Sequence, residues 1–193
     1  MEERLIKVGI THGDINGIGY EVILKTFSDA RVAELCTPVI YGSSKIAAYH
    51  RKALELPPVN MNIISQAEDA GINRVNIINC VDDETKVELS QSTSIAGEAA
   101  FLALEAAVTD LKRGAVDVLL TAPINKHNIQ NDEFHFPGHT EYLEERFGGV
   151  GRKALMILMK DGLRVALVTG HIPLAEVPSR ITVEDIVSKL RIF

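Results

Sequence analysis

Hydrophobic and polar positions along this chain follow two periods. Short apolar runs at residues 5–10 (LIKVGI), 38–41, 61–64 and 75–78 are bounded by polar or turn-forming residues and predict β-strands. Between them, residues 20–27 and 43–56 have helical spacing. Val22, Ile23 and Phe27 can share a face of the first, and Ser43 or Ser44 suits the N-cap of the second. The longest helical pattern, 94–113, is alanine-rich, with Ala99, Leu102, Ala106 and Leu111 on the expected apolar side and Gly114 as its stop. Residues 116–120 are nearly all apolar, which predicts a central strand covered on both faces. Runs at 154–159 and 163–169 flank Lys160-Asp161-Gly162, and Asp-Gly there signals a hairpin. Residues 182–193 open on a capping box of Thr182 and Asp185, with Ile186, Val187 and Leu190 at helical spacing. Strands alternating with helices, plus one antiparallel hairpin, predict an α/β fold: a largely parallel, mixed sheet with flanking helices. No internal repeat, low-complexity tract or linker interrupts it.

Composition narrows the function classes. A chain of 193 residues, 46% hydrophobic and 24% charged, is long enough for one ordinary globular domain. The net charge of -6 argues against a nucleic-acid partner, which would call for a basic patch. No apolar run approaches membrane-spanning length, so no membrane partner is expected. The start, MEERLIKVGI, resembles neither a signal nor a transit peptide, and the expected location is cytoplasmic. Cys36 and Cys80 lack metal-type spacing and read as reduced, buried thiols.

Candidate chemistry gathers at strand ends, where open α/β sheets bind ligands. In THGDINGIGYE, residues 11–21, Gly13, Gly17 and Gly19 would let backbone approach a ligand and open a helix whose first amides favour an anion. The loop is neither GxGxxG nor a P-loop, and a plain tight turn is an equal reading; Asp14 suits an N-cap or a ligand contact. In TAPINKH, residues 121–127, Pro123 pins the turn. Asn125 and Lys126 follow, the lysine able to neutralise a phosphate or carboxylate or move a proton, or simply to be solvated. In FPGHTEYLEERF, His139 and Thr140 stand side by side at a helix start and suit a substrate with several oxygens, unless Thr140 caps and His139 packs. His171 follows an apolar strand, where an imidazole can ligate a metal. No HxH, HExxH or HxxxH pattern surrounds it, and a lone histidine is more often structural. His50 falls in a surface-like helix, and His127 and His135 fall on a polar loop. These patterns indicate a small-anion site without specifying a reaction.

Taken together, ITHGDINGIGYEVILK, the helix around SIAGEAA, TAPINK, FPGHTEYLEERF and VALVTGHIPL resemble the 4-hydroxythreonine-4-phosphate dehydrogenase family of pyridoxal phosphate biosynthesis, in order and spacing, over nearly the whole chain. The resemblance implies an isocitrate/isopropylmalate dehydrogenase-like fold and a homodimer with its site in an interdomain cleft. It implies NAD- or NADP-dependent, divalent-metal-dependent (Zn, Mg or Co) oxidation of 4-phosphooxy-threonine, a small phosphorylated hydroxy amino acid. The β-keto acid formed then loses CO2 to give 3-amino-2-oxopropyl phosphate. On this resemblance His139 and Thr140 match substrate contacts and His171 matches the first of three metal-binding histidines. The catalytic residue stays unassigned, with Lys126 as candidate.

The chain departs from the family pattern in its first loop. His12 stands where Pro or Met is usual, Ile15-Asn16 where Pro-Ala is usual, and Tyr20 where a Pro precedes the Glu. Family members also run well past this length. The resemblance therefore implies that residues 1–193 are the N-terminal, substrate- and metal-side portion of a longer two-domain enzyme, inactive alone. A last helix ending at Ile192-Phe193 without a glycine cap fits that expectation, against a natural helix that docks by its last apolar residues. The alternatives are a dehydrogenase of a related four-carbon acid phosphate, erythronate or threonate, and a non-catalytic half-domain that binds a phosphorylated acid.

Overall fold

A computed structural model describes residues 5–149 and 153–193; the charged start of the chain, residues 1–4, lies outside them. The chain divides into two compact units, the first running up to Tyr142 and the second covering Leu143–Phe193.

The first unit alternates strand and helix: β1 (Lys7–Thr11), α1 (Gly19–Phe27), α2 (Val32–Leu35), β2 (Thr37–Gly42), α3 (Ser44–Ala53), β3 (Met61–Ile64), β4 (Val75–Asn79), α4 (Ser94–Lys112) and β5 (Val118–Thr121). The strands form one sheet in the order β3-β4-β2-β1-β5, every neighbouring pair parallel. The α/β class expected from the alternation is the one observed. Thr11 at the end of β1 pairs in register with Tyr41 on one side and Thr121 on the other.

Two strand expectations need correction. The run at 116–120 is not a central strand: β5 is the sheet's edge, with Val118 and Leu120 about half exposed. Hydrophobic density cannot separate a two-sided central strand from an edge strand. The hairpin, in turn, does not join this sheet. β6 (Ile157–Lys160) and β7 (Leu163–Ala166) pair only with each other, antiparallel, leaving the main sheet wholly parallel.

Small residues set the packing of α4. Ala96, Ala99, Ala100, Ala103 and Ala107 are all buried, so the helix backbone lies close against the sheet, while Leu102 is 42% exposed. The buried stripe is thus rotated from the expected one. A pattern with small residues all round gives little phase information. The helix ends as expected: Gly114 adopts φ +75°, and the amide of Ala115 reaches back to the Asp110 carbonyl. Asp110 also accepts the Tyr41 hydroxyl proton at 2.6 Å and pairs with Arg113, which in turn pairs with Glu68. Ser43 caps α3 by accepting from the Ile46 amide. Both cysteines are free and half-buried rather than fully buried.

The second unit holds the later part of α5 (His139–Phe147), the hairpin, α6 (Val177–Arg180) and α7 (Val183–Ile192). Thr182 accepts from the Asp185 amide at 3.1 Å, as its capping-box spacing predicts. Among the described residues, no helix is long and apolar enough to cross a membrane.

Candidate anion site at the sheet's carboxyl edge

Because β1 and β5 are parallel neighbours, the loops that leave them lie side by side. The Ala122 amide donates to the Thr11 carbonyl, and the Asp14 amide donates to the Pro123 carbonyl at 2.9 Å. The glycines of the first loop serve this closure. A Cβ at Gly13 (φ +70°) would stand 2.2 Å from the Pro123 carbonyl oxygen, and one at Gly19 would stand 1.9 Å from that of His12. These glycines therefore let the chain approach itself, not a ligand, which corrects the phosphate-cradle reading of the loop. Asp14 is buried, taking the Asn16 amide at 2.8 Å and the Asn128 side chain at 3.4 Å. It braces the two loops.

The residues that depart from the family pattern turn out to be the ones that lock this edge. Asn16 is buried and clamps the segment before α4: its amide nitrogen donates to the Gln91 carbonyl and the Thr93 hydroxyl, and its oxygen accepts from the Glu88 amide at 2.7 Å. Tyr20 stacks between His12 and His50, with ring centroids 5.0 and 5.2 Å away. The Tyr20 hydroxyl accepts from the Ser43 amide at 2.9 Å. His50 is buried, contrary to its surface-like helix, and its Nε2–H donates to the Ile15 carbonyl at 2.8 Å. Burial holds the imidazoles of His12, pushed down to about 4, and of His50 in their neutral forms. Sequence reasoning noted Asn16 only as a departure in the first loop and placed His50 on a surface-like helix, without seeing the role of either. Their polarity inside an apolar context was a signal, but their partners are far away in the chain.

The second and third loops meet around Gly138. Asn125 is not free to bind: its oxygen accepts from the His127 amide and its nitrogen donates to Ser92. It shapes the turn that presents Lys126. The Lys126 ammonium comes within 4.0 Å of where a Gly138 Cβ would be, next to His139. Lys126 is exposed and forms no ion pair with a described residue, though the Glu141 carboxylate borders the same spot. Burial, then the Lys126 charge, lowers the His139 pKa and keeps that imidazole neutral. His139 Nε2 is buried and has no hydrogen-bond partner among the described residues. Both His139 and the exposed Thr140 lie in the first turn of α5. This segment is anchored by aromatic packing: Tyr142 stacks on Phe134, which meets Phe101 of α4 edge-on, and the Tyr142 hydroxyl donates to Glu105. The structure thus brings the Lys126 charge beside the neutral His139, with the Glu141 carboxylate bordering the same spot and Thr140 next to His139 in the first turn of α5.

His171 belongs to the second unit. It is exposed, has φ +55°, and follows the end of β7 by several residues because that strand stops at Ala166 rather than at 169. Among the described residues, no group of three or more His, Cys, Asp or Glu side chains could hold a metal ion. One imidazole does not make a metal site, so the described residues do not by themselves fit a divalent ion.

A 4-hydroxythreonine-4-phosphate dehydrogenase of Bacteroides thetaiotaomicron is 60% identical over 193 residues, covering all of this chain and 52% of that protein. One from Sulfurihydrogenibium is 39% identical, over 97% of this chain and 56% of its own length. A Clostridium botulinum protein named for D-threonate 4-phosphate dehydrogenase activity is 30% identical over 93% of this chain and 54% of itself. The crystal structure of a 4-hydroxythreonine-4-phosphate dehydrogenase from Burkholderia phymatum superposes with a TM-score of 0.85 at 28% identity, covering 98% of this chain and 57% of that one. A Klebsiella pneumoniae structure at 24% identity, TM-score 0.87, shares the fold. The chain spans about half the length of the relatives it matches. The model of the pyridoxal phosphate biosynthetic protein PdxA matches residues 34–193, and this chain belongs to that family.

Proposed function

We propose that the protein containing this chain oxidises the secondary alcohol of 4-phosphooxy-threonine to a β-keto acid, which decarboxylates to 3-amino-2-oxopropyl phosphate, and that this portion grips the substrate. The observation that carries the reading is the Lys126 ammonium beside His139, with no carboxylate paired to it among the described residues. Lys126 neutralises an anionic end of the substrate, whether phosphate or carboxylate. His139, held neutral, and the Thr140 hydroxyl hydrogen-bond the substrate's other polar groups without adding charge. NAD or NADP would accept the hydride. The first loop closes on its own backbone at Gly13 and Gly19 and offers no pyrophosphate cradle. For a divalent metal, His171 would supply a single ligand from this portion of the protein.

The test is turnover of the full-length protein on 4-phosphooxy-L-threonine, D-threonate 4-phosphate and D-erythronate 4-phosphate, followed by nicotinamide reduction. The threonine phosphate should give the highest kcat/KM. Lys126→Met should lower it by about 10- to 100-fold, the span expected for losing a hydrogen bond to a charged group. Wild-type turnover in that variant removes Lys126 from the site. Preference for D-threonate 4-phosphate would instead move the protein to the activity for which its Clostridium relative is named.

A further inference from the structure

The opposite edge of the sheet holds a cavity of about 700 Å³, within the general range of small-molecule sites. It lies where β3 and β4 begin, so the whole sheet separates it from the loops around Lys126. Its floor is apolar: Phe27 from the last turn of α1, Met61 of β3 and Val75 of β4. Its polar lining comes from Ser28, Asn60, Asn62, Asn73 and Arg74.

Charge selects what such a cavity takes. The protein carries a net charge of -6, yet among the described residues no Asp or Glu lines this space, and Arg74 is the one charged lining residue. Arg74 forms no ion pair with a described residue. Its backbone is fixed in place: the buried Asn76 side chain donates to the carbonyls of Arg74, Gly71 and Pro38, and accepts from the Gly71 amide. An exposed guanidinium on a fixed backbone, with amides and apolar side chains lining the same cavity and no competing carboxylate among the described residues, matches a ligand with a carboxylate at one end and a flat apolar body at the other.

We propose that this cavity is a second small-molecule site that takes an amphipathic aromatic carboxylate. The carboxylate pairs with Arg74, and the ring lies over Phe27 and Met61. The cavity is open on one side and Arg74 is exposed, so binding is weak and depends on the charge pair. Isothermal titration of the full-length protein with 4-phenylbutyrate should saturate at one site per chain. Arg74→Gln should weaken that affinity about tenfold, the low end for a charged hydrogen bond. The neutral 4-phenylbutyramide should bind about as weakly to wild type, with no further loss in R74Q. Ala30→Trp, an exposed lining position filled by a ring, should abolish binding of both ligands. Both variants leave the core untouched, and unchanged melting temperatures confirm that they fold. Absence of saturable binding, or wild-type affinity in either variant, overturns the proposal. Because neither variant touches Lys126, His139 or Thr140, the outcome is independent of the dehydrogenase reading.

Discussion

His12 carries no charge at neutral pH, and that has a cost in acid. Its folded pKa is pushed down from 6.5 to about 4 by complete burial. The unfolded chain therefore binds a proton between those values that the folded chain refuses. Stability from this residue is fully present above pH 6.5 and drains away as the pH falls towards 4. Over that window the loss is about 3 kcal/mol, from the free-energy equivalent of each pKa unit. His50 adds to the slope in the same direction, since burial lowers its pKa too. His12→Met, a side chain of similar length and one usual in the family at this position, should make the urea midpoint less dependent on pH between 6.5 and 4. An unchanged pH slope in the variant would mean that His12 titrates normally. The site histidine behaves in the same sense, because His139 is also held neutral.

At the scale of elements, α4 joins the core to the candidate site, and Gly97 is where they touch. Glycine inside a helix normally costs about 1 kcal/mol against alanine, so Gly97→Ala would ordinarily stabilise. Here an alanine Cβ would lie 1.8 Å from the Asn128 carbonyl oxygen. The first turn of α4 and the loop carrying Asn128 would have to part, and the sign reverses to a loss of about 1–3 kcal/mol, typical of overpacking. Chemical denaturation of the variant checks this, and a gain in stability would refute the close approach. Most elements were legible from local pattern: the strand at 61–64, the cap at Ser43, the stop at Gly114 and the Thr182 capping box depend on residues near in sequence. The edge position of β5, the facing of α4 and the burial of His50 were not. Each is decided by what a distant segment covers, and period alone does not encode that. The candidate site divides the same way, since TAPINK and GHT were visible as loops while the Asn16 clamp on residues 88–93 depends on contacts some seventy positions apart.

Across the whole molecule, apolar burial is concentrated in one unit. Among the described residues, the buried hydrophobic side chains end at Tyr142, and the strands and helices after it contribute none. Within the second unit Leu158, Met159, Leu163, Val183 and Leu190 are each more than half exposed. Order there rests on the hairpin ladder, the Thr182 cap and the Lys189 bond to the Ala154 carbonyl at 3.1 Å. Isolated two-stranded hairpins and single short helices are marginal in water. Opening free energies follow buried contacts, so the two units should exchange amide hydrogens very differently. In the 193-residue chain, amides of β1, β2 and β4 should be protected near the level set by global unfolding, while those of β6, β7 and α7 exchange orders of magnitude faster. The measurement is hydrogen exchange followed by peptide mass. Equal protection in both units would show that the exposed apolar side chains of the hairpin and last helix are covered in solution, for example by self-association. A second run at tenfold lower protein concentration separates these cases, because protection from association falls on dilution and protection within one chain does not.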